Sequence, residues 1–257
     1  MTTPDILAVL SGAAVGLILA LIGGGGSILA TPALLYIVGV ANPHVAIGTS
    51  ALAVSVNAFA NFLNHLRRGN VKWKCAVVFA AAGVIGAAIG AAIGKNTNAD
   101  ILLPLFALLM IVVGIAMLIP RKHEGDGDVV LNAKNAPKLV GYGLGVGLLS
   151  GFFGIGGGFL IVPGLIGATG MTMLQAIGSS LFSVGAFGAT TAGSYAFDGL
   201  IDWRIALLFI GGGLAGGLIG ASFATHLSKQ RGALQRVFAG VVFAVAAYML
   251  YRSLLAP

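Results

Sequence analysis

The sequence is poor in cysteine and in charge. Cys75 is the only cysteine, so the chain forms no internal disulfide and offers no cysteine-based metal cluster. Only 8% of its 257 residues are charged, and its seven acids all fall in or beside predicted loops. A carboxylate in the middle of a helix, expected for proton or cation coupling inside a membrane, is missing. We find no phosphate loop of the GxxxxGK[ST] type and no paired nucleophile and base, so we expect a protein that is not an enzyme and that uses no metal or cofactor.

Hydrophobic residues make up 58% of the chain and occur in runs near the ~20 residues that span a bilayer. The sequence therefore predicts an all-α integral membrane protein that contacts the lipid bilayer. The net charge of +7 comes from Lys and Arg between the apolar runs, which indicates membrane topology and not nucleic-acid binding. Five apolar segments precede a polar stretch and five follow it, at 6–22, 27–41, 45–65, 74–94 and 101–119, and at 138–153, 159–169, 176–197, 204–226 and 233–252.

The second half of the chain repeats the first. Ala-Ile-Gly-Thr-Ser at 46–50 returns as Ala-Ile-Gly-Ser-Ser at 176–180. We therefore divide the chain into a first repeat at 1–119, a cytoplasmic linker at 120–137 and a second repeat at 138–257. Internal duplication around a glycine-interrupted segment is typical of secondary transporters. Other positions recur 131 residues apart, namely Gly16 with Gly147, Pro32 with Pro163 and Gly39 with Gly170.

A cluster of glycines interrupts the first apolar stretch of each half, at 23–26 and at 154–158. Uninterrupted, residues 6–41 would form a helix of about 54 Å, too long for one crossing of a ~30 Å core. Each cluster therefore predicts the tip of a helical hairpin, re-entrant or fully spanning, followed by three transmembrane helices. An odd net number of crossings makes the second repeat inverted. Inversion places eleven of fourteen Lys and Arg in the cytoplasm, against ten for a parallel repeat, and both termini in the periplasm.

The glycine tips are also predicted N-termini of short helices. The first N–H groups of a helix have no internal partner, and the helix dipole adds about half a positive charge there. Glycine lets the backbone approach a ligand closely, so two such ends facing one cavity would bind a small anion. The alternative is that these glycines serve helix packing, as small residues do in membranes. The predicted substrate-binding residues are Gly25, Gly26 and Ser27 in the first tip and Gly156, Gly157 and Gly158 in the second.

Two adjacent hydroxyls lie early in the helix that follows each hairpin. Repeat symmetry can bring all four to one centre, where they would donate to an oxyanion. They can equally satisfy carbonyls of their own helices. Asn57 is a weaker candidate, because Phe187 and not a polar residue occupies the equivalent position. The four hydroxyls, which complete the predicted site, are those of Thr49, Ser50, Ser179 and Ser180.

Further glycines recur at intervals of three and four residues in the fourth apolar segment of each half. Such faces let helices pack closely in a membrane. This packing could lie within one protomer or between the two protomers of a homodimer. The glycines concerned are Gly83, Gly86, Gly90, Gly213, Gly216 and Gly220.

A glycine-rich tip, a proline and Ala-Ile-Gly-Thr-Ser, repeated as Gly-Ile-Gly-Gly-Gly, a proline and Ala-Ile-Gly-Ser-Ser, resemble the TauE/SafE family of membrane permeases, also called the sulfite exporter family. The resemblance covers residues 6–251. It implies a protein of the bacterial inner membrane, with seven or eight crossings, that moves small sulfur-containing anions. We therefore expect a secondary transporter that moves sulfite or an organosulfonate by alternating access around the two tips. The alternatives are an importer of thiosulfate or another oxyanion, a passive anion channel, and a membrane scaffold without a substrate.

Overall fold

The described part of the chain is almost entirely helical, as predicted. The computed structural model describes residues 3–22, 24–118, 127–154, 158–224 and 231–255. These residues form ten helical segments, which follow the ten predicted apolar segments in order. They are α1 Thr3–Ile22, α2 at 24–38, α3 Pro43–Arg67, α4 Trp73–Lys95, α5 Ala99–Leu118, α6 Ala136–Phe153, α7 Gly158–Thr169, α8 Met173–Phe197, α9 Trp203–Ala224 and α10 Arg231–Leu255.

The helix α2 changes pitch along its length. It begins as a 3-10 helix, Gly24–Leu29, continues as a short α-helical stretch, Ala30–Pro32, and ends as a π-helix, Ala33–Val38. The equivalent helix α7 is regular and contains Pro163 in its interior.

Five described helices are long and apolar enough to cross a membrane. Their surfaces expose large hydrophobic side chains such as Leu10, Ile85 and Leu207, which lipid would cover. The five candidate spans are Thr3–Leu21, Pro43–Arg67, Trp73–Lys95, Ala99–Ala116 and Trp203–Gly220, and shorter apolar helices occur at Gly26–Val38, Leu160–Thr169 and Ala239–Arg252. These features are those of a multi-pass membrane protein.

The helices α3 and α8 form an antiparallel pair at the interface of the two halves. Near one end of the pair, Gly48 packs against Tyr195. Toward the other end, the rings of Phe62 and Phe182 lie 5.5 Å apart. Residue numbers therefore rise along α3 as they fall along α8. The helices α3 and α8 therefore run in opposite directions.

Two further helix pairs join the halves through glycine. The helix α1 packs on α9, where Gly16 lies against the backbone of Gly213. In the same way α6 packs on α4, where Gly147 lies against the backbone of Gly83. A side chain at either glycine would overlap with the partner backbone, so both interfaces depend on small residues. The glycine faces at 83–90 and 213–220 therefore pack within one protomer, which decides between the two alternatives that the sequence left open.

The direction of these two pairs follows from the order of their contacts. Along α1 and α9 the contacts advance together, from Gly12 with Phe209 to Leu17 with Gly220. The helices α6 and α4 behave alike, so both pairs are parallel. Their contacts include Gly143 with Phe79 and Gly151 with Ala87.

Candidate functional site

The first glycine tip brings α2 back against α1. The helix α1 ends at Ile22, and α2 begins at Gly24. A Cβ added at Gly26 would lie 2.6 Å from the Leu19 backbone nitrogen and 3.0 Å from the Ile18 carbonyl carbon. Only glycine fits at such a distance from a neighbouring backbone. Gly26 therefore has a packing role, separate from any ligand that the tip binds.

The second tip turns at Gly154. This residue ends α6 with a φ of +67°, a left-handed conformation that favours glycine, and its N–H donates to the Ser150 carbonyl. Gly154 lies against the Ile47 side chain of α3, and α7 begins at Gly158. The first turns of α2 contact α7. The two helices that start at the tips thus meet in the interior.

Four of the six predicted tip residues lie in the described part of the chain. Gly25, Gly26 and Ser27 belong to the 3-10 part of α2, and Ser27 is fully buried. Gly158 is the first residue of α7 and is also buried. Residues 156 and 157, the predicted Gly156 and Gly157, lie outside the described residues. Because the positive ends of two helix dipoles reach the interior here, this region can stabilise a small anion.

The repeated motif after each hairpin contacts a loop of the opposite half. The Asp202 backbone N–H donates to Thr49 Oγ1 at 3.0 Å, before the start of α9. The Lys72 backbone N–H donates to Ser179 Oγ at 2.9 Å, before the start of α4. Thr49 and Ser179 therefore stabilise inter-helix loops, a role that the motif alone did not indicate. The glycine before each hydroxyl gives the same loop room, since Gly48 faces the Leu200 carbonyl and Gly178 faces the Asn70 carbonyl.

The second hydroxyl of each motif bonds to its own helix. The Ser50 hydroxyl donates to the Ile47 carbonyl at 2.9 Å. The Ser180 hydroxyl donates to the Ile177 carbonyl at 2.8 Å. Ser50 Oγ also lies 2.8 Å from Thr31 Oγ1, which connects α3 to α2 in the buried interior. Ser50 is therefore the motif hydroxyl that the structure connects to a glycine-tipped helix.

The four motif hydroxyls form two separate groups. Phe182 of α8 faces Phe62 of α3. Ser180 comes two residues before Phe182, so it lies even farther from the start of α3. Ser50 comes twelve residues before Phe62, so the groups stand about 18 Å apart at 1.5 Å per residue. The structure thus separates hydroxyls that symmetry was expected to bring to one centre. The reason is that antiparallel packing places equivalent residues of α3 and α8 at opposite ends of the pair.

One face of α3 carries a polar stripe. Ser50, Asn57 and Asn61 are spaced by seven and four residues, so they lie on the same face of the helix, and all three are buried. The Asn61 Nδ2 donates to the Asn57 carbonyl at 3.0 Å. Asn57 and Asn61 face Gly213 and Gly217 of α9, which leave room for the two carboxamides. The interior is therefore polar along α3 as well as at the tips.

Several buried polar side chains have no hydrogen-bond partner among the described residues. An unpaired group of this kind costs about 1–3 kcal/mol in a protein interior. Such groups are rare in protein interiors, and each calls for an explanation. They are Asn57 on α3, Ser150 on α6, and Ser183, Thr191 and Tyr195 on α8. Within the described residues, no group of three or more His, Cys, Asp and Glu is arranged for a metal ion.

Charged side chains pair at one end of the bundle. Lys95 at the end of α4 forms an ion pair with Asp198 after α8 and donates to the Ser194 carbonyl at 3.1 Å. Arg204 at the start of α9 pairs with Asp5 at the start of α1. Both pairs join one half of the chain to the other, at the end where α3 begins.

Buried helix N-termini, polar groups within apolar helices and ion pairs at the helix ends define a membrane protein with a polar interior. The chain belongs to the sulfite exporter TauE/SafE family, whose sequence model matches residues 8–249. A "Probable membrane transporter protein" of Xylella fastidiosa (strain 9a5c) is 51% identical over 251 residues, which cover 96% of this chain and 95% of that protein. "Probable membrane transporter protein YunE" of Bacillus subtilis (strain 168) is 26% identical over 270 residues, covering 97% and 98%. No solved structure matches the chain significantly.

Proposed function

We propose that the chain is a secondary transporter of small sulfur-containing anions, such as sulfite or organosulfonates, that works by alternating access around the two glycine tips. The observation that carries this proposal is the contact between α2 and α7, two helices that begin at glycine tips inside the bundle. Their N-termini supply N–H donors and positive dipole ends without a formal cation. This arrangement suits a small anion.

The packing of the two halves supports an inverted repeat. The equivalent helices α3 and α8 are antiparallel, whereas α1 is parallel to α9 and α6 is parallel to α4. A two-fold axis in the membrane plane produces this exchange of partners, and such axes relate the halves of many alternating-access transporters. We infer that the halves move against each other, so that the tips open to the cytoplasm and the periplasm in turn. Both termini then lie in the periplasm, and the linker at 120–137 lies in the cytoplasm.

The substrate site combines the first turns of α2 and α7. It includes Gly25, Gly26 and Ser27 from the first tip and residues 156–158 from the second. The hydroxyls of Ser50 and Thr31, which lie 2.8 Å apart, extend this site toward α3. The remaining motif hydroxyls contact backbone groups and position the helices around the site. They are those of Thr49, Ser179 and Ser180.

Flux of sulfite and methanesulfonate into proteoliposomes tests this function. We expect saturable uptake that the same anion stimulates from the opposite side, because counterflow requires alternating access. Ser27→Ala should lower uptake about tenfold, the effect of losing one hydrogen bond to an anion. Thr190→Ala is the matched control, since the half-buried Thr190 hydroxyl donates to the Ala186 carbonyl of its own helix.

Each other outcome has a definite meaning. Flux that does not saturate and shows no counterflow would favour an anion channel. A similar loss of uptake and thermal stability in both variants would assign the Ser27 hydroxyl to folding. A folded wild-type protein that moves neither anion nor thiosulfate would contradict the proposed function.

A further inference from the structure

Asn57 is a buried polar group that the glycine tips do not explain. Its side chain is 1% exposed, near the middle of α3. Neither Oδ1 nor Nδ2 has a hydrogen-bond partner among the described residues. Since an unpaired carboxamide in the protein interior destabilises the fold, its presence here points to a group that a ligand pairs in some state of the protein.

This carboxamide occurs in one repeat only. In the second repeat Phe187 takes the place of Asn57, and its ring stacks on Phe79 with centroids 6.2 Å apart. Phe187 contacts Gly83 of α4, as Asn57 contacts Gly213 of α9. The two equivalent positions therefore share their backbone surroundings and differ in chemistry. Packing of the fold is compatible with an apolar side chain at this place, so packing does not account for the asparagine.

The chemistry of a carboxamide restricts its ligand. Nδ2 donates to an oxyanion oxygen, whereas Oδ1 needs a donor, which a small oxyanion provides when it carries a proton. No Lys or Arg lies in the middle of the described helices α1, α2, α3, α8 and α9. Their titratable and charged side chains stand toward the helix ends, and these are Asp5, Tyr36, His44, His65, Arg67, Tyr195 and Arg204. Because the cost of burying an ion without a counter-charge rises with the square of its charge, a monoanion is favoured over a dianion.

We propose that Asn57 binds the transported anion and selects monoanions that carry an O–H group. Nδ2 donates to one oxygen of the anion, and Oδ1 accepts from its hydroxyl. This inference rests on the proposed anion transport. In the present conformation Gly213 covers the carboxamide, so the anion reaches it when α9 separates from α3.

The first test is wild-type flux in proteoliposomes with equal pH on both sides. Sulfite changes near neutral pH from hydrogensulfite, a monoanion with a hydroxyl, to a dianion, whereas methanesulfonate remains a monoanion without a hydroxyl. At a fixed low concentration of total sulfite, we expect sulfite flux to fall with the hydrogensulfite fraction as the pH rises. Methanesulfonate flux should stay lower and constant over the same range. Sulfite flux that follows the dianion would overturn the inference.

The second test replaces the carboxamide by an apolar group with the same branching. Asn57→Leu should lower sulfite flux about tenfold and remove the preference over methanesulfonate. Its thermal stability should equal or exceed that of the wild type, because an apolar side chain replaces an unpaired polar one. Asn57→Ser keeps a donor and an acceptor and should retain the preference. Thr190→Val is the control for a hydroxyl outside the site.

The outcomes separate this inference from the proposed function. If folded Asn57→Leu protein keeps the sulfite flux of the wild type and its preference for sulfite over methanesulfonate, the inference is overturned and the proposed function stays intact. If Asn57→Leu does not fold, an unchanged flux and preference in folded Asn57→Ala protein would likewise overturn it. A wild type that moves neither anion would contradict the proposed function itself.

Discussion

The guanidinium of Arg204 lies 2.7 Å from the carboxylate of Asp5, which connects the first turn of α9 to the first turn of α1. The Asp5 side chain is 6% exposed, whereas that of Arg204 is 68% exposed. The two residues stand 199 positions apart in the chain. The ion pair of Lys95 with Asp198 lies at the same end of the bundle. Two charge pairs thus connect the halves at one end of their interface.

Loss of Arg204 should destabilise the protein more than loss of Lys95. Arg204→Met removes the cation from a buried carboxylate, which costs about 1–3 kcal/mol. Lys95→Met removes the partner of Asp198, whose side chain is half exposed, so the cost should stay below about 1 kcal/mol. Thermal unfolding in detergent measures both shifts. Equal shifts would show that the burial of Asp5 has no energetic consequence.

The Thr49 hydroxyl should contribute to stability as an acceptor. Thr49→Val keeps the shape but leaves the Asp202 N–H without its acceptor, at a cost of about 1–2 kcal/mol. Thr49→Ser retains the oxygen and should stay close to the wild type. Ser179→Ala should repeat the loss at the Lys72 N–H in the other half. Free energies of unfolding by denaturant provide the measurement, and a stable Thr49→Val protein that loses transport would instead identify Thr49 as a ligand.

Two glycines of one helix should respond oppositely to alanine. Gly147 on α6 lies against the Gly83 backbone, so Gly147→Ala should force α6 from α4 and destabilise the protein by several kcal/mol. Gly145 on the same helix has open space at its Cβ position, so Gly145→Ala should be neutral or slightly stabilising. Thermal stability and yield of folded protein distinguish the two variants. Equal tolerance at both positions would contradict the close packing of α6 on α4.

Labelling of single cysteines tests the opposite directions of α3 and α8. In a Cys75→Ala background, Arg68→Cys follows the end of α3 and Phe197→Cys ends α8. Both positions are exposed, and Phe197 is 93% exposed. A membrane-impermeant maleimide should reach them from opposite faces, with Arg68→Cys on the cytoplasmic face. Labelling of both from one face would contradict the inverted repeat.

Helix bounds were predictable because they depend on local chemistry. Apolar length and polar breaks fix where α3 and α4 begin and end within a few residues. The largest difference concerns α2, which was predicted at 27–41 and lies at 24–38. The glycines at 24–26 already belong to the 3-10 turns of this helix, and Gly39 ends it with a φ of +85°. A run of glycines has little conformational preference of its own, so contacts with α1 decide its shape.

Contacts between the halves were not predictable in the same way. The partner of Thr49 is a backbone N–H 153 residues away, and the sequence gives no sign of that distance in space. From the sequence, Asn57 is a weaker candidate for ligand binding, because Phe187 takes its place in the second half. Its unpaired carboxamide becomes evident only when the neighbouring residues on α9 are known. Polar residue types thus identify candidates, whereas their partners depend on helix directions and register.

The parallel packing of α1 on α9 has a consequence for synthesis. Asp5 leaves the ribosome 199 residues before Arg204, so at roughly 5–20 residues per second α1 waits about 10–40 s for its partner helix. During that interval its glycine face has only lipid or the insertion machinery to contact. A ribosome that stops before α6 is made leaves a first half whose α1 and α4 both lack their partner helices.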